Sequence, residues 1–272
     1  MPLTLGIPDA LYTKPLLYVL GESDPPITVV RDIPAQIALN FSKRIPPLSE
    51  GCAFLSPIDY ARYGGEYRIV PDVAVSSEVP TGTIQLIIKP ETRNISTIAV
   101  DIRGTSEIVL AKILLQEKYR NLATSAQTIQ FIPMMPDVEA MLKKADAALV
   151  MNYFPTSTIL RNYFVLDLVE AWKDLTDLPY LHGFWVVREG QVKSEDIRLL
   201  IRAREEGVAQ MEEIVQLAAQ EHDLQVEHAS RYFSSFNYDL RSAEHDSLSE
   251  FIHYAFFFGV LPDAPDINFF PL

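Results

Sequence analysis

Gly104-Thr105-Ser106-Glu107 places two hydroxyls at a glycine-preceded helix start. Backbone N–H groups and hydroxyls at such a point can hold a carboxylate. The same residues also read as a plain N-cap, worth about 1 kcal/mol. Glu107, one residue inside, repels an anion unless it points away. Ser56 and Ser77 follow short apolar strands, where loops reach toward ligands, though Ser77 equally suits a turn. Tyr12 could donate a hydrogen bond or stack on a ring, or simply fill a cleft floor. Asn152 and Tyr153 end another strand, just before Pro155. Lys14 could pair with a carboxylate, or remain solvated and contribute little. Asp59, on a first helical turn, reads as a dipole partner rather than a base. His182 could act as acid or base, or as a satisfied core histidine.

Other chemistries find little support. His222, His228, His245 and His253 lack metal-ligand spacing, and no cysteine pair assists them. No Gly-x-Ser-x-Gly elbow, phosphate loop or dinucleotide fingerprint is present. A net charge of -13 argues against a nucleic-acid surface, which needs clustered Lys and Arg. It does not exclude a small anion held by local donors. Cys52, alone, cannot form an internal disulfide, and the N-terminus lacks a basic and apolar leader. A cytoplasmic protein without membrane contact is expected.

These residues need elements to position them. Strands are expected at 3–7, 27–30, 51–55, 67–70, 72–76, 83–88, 98–101, 127–132, 147–151, 164–167 and 183–188. Helices are expected from Thr13-Lys14-Pro15, over 33–41, from Ser56-Pro57, from 104 to about 119, over 137–144 and around Trp172. Ser194 opens a further helix to about Glu221, with a break at Gly207, and 244–258 forms the last. Glu205-Glu206 and Glu212-Glu213 read as a solvated face. Trp172 and Trp185 face inward by period. The alternation predicts an α/β fold with mixed, mostly parallel sheets and a helical C-terminal part.

The blocks Lys14-Pro15-Leu16, Ile58-Asp59-Tyr60-Ala61-Arg62, Pro71-Asp72-Val73-Ala74-Val75-Ser76, Ala145-Asp146-Ala147, Glu170-Ala171-Trp172-Lys173, Leu178-Pro179 and Gly259-Val260-Leu261-Pro262 occur in an ordered series. Over nearly the whole chain this series resembles the chorismate dehydratases of the futalosine route to menaquinone. The resemblance implies a two-lobed fold like that of type II periplasmic binding proteins. Residues 1–84 and 188–272 would form lobe one, and 85–187 lobe two. The chain would cross outward at Thr83 to Ile88 and back at Gly183 to Arg188.

The implied reaction is loss of water from chorismate, giving 3-[(1-carboxyvinyl)oxy]benzoate, with no metal or organic cofactor. The implied site is the interlobe cleft, lined by Tyr12, Ser56, Ser77, Gly82, Thr105, Ser106, Asn152 and Tyr153. Tyr12 is the catalytic candidate. Four segments depart from the family pattern. Ala10-Leu11-Tyr12 replaces Tyr-Leu-Asn, and Gly82 replaces a serine. Gly104-Thr105-Ser106-Glu107 replaces Ser-Arg-Thr-Ser, and Asn152-Tyr153-Phe154-Pro155-Thr156 replaces Gly-Asp-Glu-Ala-Leu. Together they suggest a changed ligand. The alternatives are a non-catalytic binder of a small carboxylate on the same scaffold, and a structural partner with a closed, empty cleft.

Overall fold

The computed structural model describes residues 3–22, 27–122, 129–152 and 162–272. In chain order its elements are β1 (Thr4–Pro8), α1 (Lys14–Leu17), β2 (Thr28–Asp32), α2 (Pro34–Ser42), β3 (Cys52–Leu55), α3 (Pro57–Tyr63) and β4 (Tyr67–Ser77). The middle holds β5 (Ile84–Ile88), β6 (Thr97–Asp101), α4 (Ser106–Glu117), β7 (Gln130–Met134), α5 (Val138–Lys144), β8 (Ala147–Met151) and β9 (Phe164–Asp167). Then come α6 (Leu168–Thr176), β10 (Tyr180–Arg188), α7 (Ser194–Ala209), α8 (Met211–Glu221), α9 (Val226–Phe233) and α10 (Ser242–Phe257).

Two five-stranded sheets organise two lobes. Their orders are β2-β1-β3-β10-β4 and β7-β6-β8-β5-β9. Each sheet has two parallel and two antiparallel neighbour pairs, so parallel pairing is half of the total rather than a majority. Strand β8 is buried at every position, which is why it reads as an unbroken apolar run. In α4, Val109, Leu110, Ala111, Ile113, Leu114 and Leu115 are all buried, a face wide enough to pack between layers. One apolar cluster runs from Phe41 and Tyr60 in the first lobe to Leu110 and Leu149 in the second. Helix α10 packs on both α3 and α4 across that junction. Trp172 and Trp185 are fully buried, as their periods predict.

Several boundaries move. Strand β10 begins at Tyr180 and pairs throughout with β3 and β4, so residues 180–187 lie in the first sheet, not in lobe two. Ile84 pairs with Met151 and belongs to the second sheet. The crossings are therefore residues 78–83 outward and the α6 segment back. The two strands expected around Pro71 are one, β4. Asp72 takes a left-handed φ of 62°, and β4 stays paired through register shifts. Gly207 does not break its helix: a Cβ there would sit 1.8 Å from the Pro15 carbonyl oxygen, so glycine lets α7 lie against α1. The break falls at Gln210 instead. Helix α9 was not anticipated.

Candidate functional site

The lobes meet where α3 faces the start of α4. Ser56 caps α3 and donates to Asp59 Oδ2 at 2.7 Å. Thr105, across the junction, donates to the same oxygen at 2.8 Å and stands 3.3 Å from the Ser56 hydroxyl. The Ile58 N–H donates to Ser106 Oγ at 3.1 Å. Ser56, Thr105 and Ser106 are thus brought together, but much of their hydrogen bonding joins one lobe to the other. Asp59 is the hub. It is 3% exposed. Burial pushes its carboxyl up, against the pull of the Ser56 and Thr105 hydroxyls and Arg62. Its expected role as a simple dipole partner is therefore incomplete.

Glu107 does not point away from the start of α4. Its Oε2 accepts the Thr105 N–H at 3.0 Å, and its own N–H also bonds its carboxyl. A side-chain carboxylate thus occupies the donors expected to face a ligand anion. Burial pushes this carboxyl up to about 7; the two N–H groups oppose the shift, and Asp59 and Asp101 add to it. Asp101 is itself held by Arg103, whose Nε lies 2.9 Å from Oδ1 and whose Nη2 lies 2.5 Å from Oδ2. Gly104 allows this close packing, because a Cβ there would lie 2.6 Å from Met151 Sδ.

The first lobe contributes an aromatic wall. The Tyr12 ring lies 5.3 Å from His182 and 5.3 Å from Phe236. Tyr180 meets His182 edge-on at 5.0 Å. Ser77 Oγ is 3.1 Å from His182 Nε2. Burial lowers the His182 pKa to about 3, so the imidazole is neutral at working pH. Burial raises the phenols of Tyr12 and Tyr180, and the Glu107 charge raises both further. The Glu107 charge thus acts on both phenols of the wall. Tyr12 therefore stays a neutral phenol.

Gly82 and Asn152 also come together, in a structural role. The Gly82 N–H donates to Asp167 Oδ2 at 2.6 Å, and Asn152 Nδ2 donates to the Gly82 carbonyl at 3.0 Å and to Gln85 Oε1 at 2.9 Å. Asp167 also caps α6, so it ties the outgoing segment to the returning one. Tyr153 lies outside the described residues. Lys14 pairs with Glu221. Tyr180 and Phe236 were missed because nothing local marks an aromatic ring that meets its partner only across the fold.

The arrangement offers one carboxyl poised near neutrality, phenolic donors, a neutral imidazole and hydroxyls at a junction between lobes. Among the described residues no three His, Cys, Asp or Glu side chains group to hold a metal, and no helix is long and apolar enough to cross a membrane.

The fold is similar to that of protein AF1704 from Archaeoglobus fulgidus, with a TM-score of 0.74 at 19% identity, covering 96% of this chain and 98% of that one. The periplasmic aliphatic sulphonate binding protein SsuA from Escherichia coli aligns with a TM-score of 0.67 at 13% identity, over 98% of this chain and 90% of its own. The Candida albicans CA3427 product, described as having the generic periplasmic binding protein fold, gives 0.64 at 12% identity, over 98% and 92%. At such identities these likenesses establish the fold alone. The sequence is more specific: the menaquinone biosynthesis profile matches residues 3–256, and the chain belongs to that family, the one of the chorismate dehydratases.

Proposed function

We propose that the protein is a lyase of the chorismate dehydratase type and works in the interlobe junction. The observation that carries this reading is Glu107 at the start of α4, where the lobes meet: its carboxyl accepts the Thr105 N–H, is raised to about 7 and acts electrostatically on Tyr12 and Tyr180. A base of that strength is matched to proton transfer near neutral pH. In this reading Glu107 removes a ring proton from chorismate. The ring hydroxyl leaves with its electron pair and takes up the proton that Glu107 removed, so one water is lost, Glu107 returns to its starting state and the ring becomes aromatic. The enolpyruvyl ether stays intact, giving 3-[(1-carboxyvinyl)oxy]benzoate. Tyr12 and Tyr180 remain protonated and donate to the substrate, while neutral His182 shapes the wall without adding charge. Aromatisation supplies the driving force, so orientation and one proton transfer suffice. Thr105 and Ser56 would turn from Asp59 to a substrate carboxylate as the lobes part and close again.

A second reading has its own support. The Thr105 N–H is taken by Glu107, and the Ser56 and Thr105 hydroxyls by Asp59. A site so engaged also suits a binder that opens only for a small acid. Incubation of the pure protein with chorismate, followed by proton NMR of the aromatic product, separates the two. The lyase reading expects turnover. No turnover, with a thermal shift on adding chorismate, favours the binder.

A further inference from the structure

Arg188 ends β10 on the side of the first lobe away from the junction, about 20 Å along the strand from His182. It is 3% exposed. Its guanidinium lies 4.2 Å above the Phe41 ring and 5.3 Å from the Tyr67 ring, and Nη2 donates to the Phe41 carbonyl. Burial pushes the Tyr67 phenol up to about 12, and the Arg188 charge and a hydrogen bond with its side chain offset part of that rise. Among the described residues, neither Nε nor Nη1 has a hydrogen-bond partner, although both are buried. Glu66 stands 3.6 Å from Nε, within ion-pair but beyond hydrogen-bond reach.

Arg188 is among the residues that border a cavity of about 310 Å³, lined also by Arg44, Gly65, Glu66, Arg68, Glu189 and Gln191. Three guanidiniums there face two carboxylates. Glu66 is shared between Arg44, at 3.2 Å, and Arg188. Arg68 pairs with Glu189 at 2.6 Å. Gln191 Oε1 is also buried without a donor. Buried donors and acceptors left unpaired are costly. One cavity therefore calls for acceptor oxygens with negative charge on the Arg188 side and for an O–H on the Gln191 side.

We propose that this cavity binds a phosphate group that retains a proton, either inorganic phosphate or a phosphomonoester. Guanidinium geometry suits the paired oxygens of such a group. The site is separate from the interlobe junction and does not depend on what that junction does.

The test is calorimetric titration of the whole chain at constant ionic strength. Inorganic phosphate, glycerol phosphate and acetate are the ligands. Saturable phosphate uptake is expected, unchanged in Thr105→Val, which alters only the junction. Arg68→Gln should weaken it about tenfold through loss of one charged donor. Glu66→Gln should tighten it by removing the competing carboxylate. Both side chains reach solvent, so the test does not depend on replacing the buried Arg188. If glycerol phosphate binds as well as phosphate, the ligand is an ester; if only phosphate binds, it is the free ion. No saturable heat, equal uptake of acetate, or unaltered affinity in both variants overturns the proposal.

Discussion

Glu107→Gln tests the electrostatics of the junction without removing its shape. The glutamine carbonyl can still accept the Thr105 N–H that Glu107 Oε2 accepts at 3.0 Å. In the wild type the carboxyl pKa rises from 4.5 to about 7 on folding. The folded state thus holds the proton more tightly than the unfolded chain. Below about pH 4.5 both states are protonated and the group costs nothing; above about pH 7 both are ionised and the full cost is present. At about 1.4 kcal/mol per pH unit, the rise corresponds to roughly 3 kcal/mol. Partial exposure of the side chain screens this to about 1–2 kcal/mol. Urea unfolding of both proteins at about pH 5 and about pH 8.5 measures the difference. The variant should gain about 1–2 kcal/mol on the wild type as pH rises across that interval. A difference that stays flat would refute the burial of a charge at this point.

Three further outcomes are expected. His182→Asn should flatten the acid side of the stability profile. The folded imidazole pKa is lowered from 6.5 to about 3, so its stabilising contribution is present above about pH 6.5 and is lost as pH falls toward 3. An unchanged slope in urea midpoints over that window would contradict the buried, neutral assignment. Thr105→Val removes the bond from one lobe to Asp59 and should cost about 1 kcal/mol, with a larger radius of gyration in X-ray scattering as the lobes part. Gly207→Ala forces a Cβ to within 1.8 Å of the Pro15 carbonyl and should cost about 3 kcal/mol in chemical denaturation, whereas a mild loss would mean that α7 stands off α1.

What the sequence made legible was local. Asp137 accepts the Ala140 N–H as an N-cap should, and β8 follows its apolar run. Helix α4 starts at Thr105-Ser106, within the expected Gly104-Thr105-Ser106 segment, but Thr105 makes no side-chain cap bond and turns its hydroxyl to Asp59. Helix α9 was missed because its eight residues carry little apolar surface, with only Ala229, Tyr232 and Phe233 buried. Pro71-Asp72 looks like a turn in the sequence, and Asp72 does take a left-handed φ, but pairing of β10 on either side of it keeps β4 one strand. At the junction, Thr105 and Ser56 were found, but their target was not. Asp59 is 46 residues from Thr105, and nothing in either neighbourhood records that they meet. In the sequence Glu107 stands as an obstacle to an anion. Only the fold shows that it bends back onto its own helix start, with its charge acting on Tyr12 and Tyr180.

A crystal structure of the protein grown with chorismate bears most directly on the account. The account predicts ring density between the Tyr12–Tyr180 wall and the start of α4, with Glu107 turned off the Thr105 N–H toward the ring carbon that loses its proton. A junction still sealed by Asp59 and Thr105, with density elsewhere or none, would contradict it.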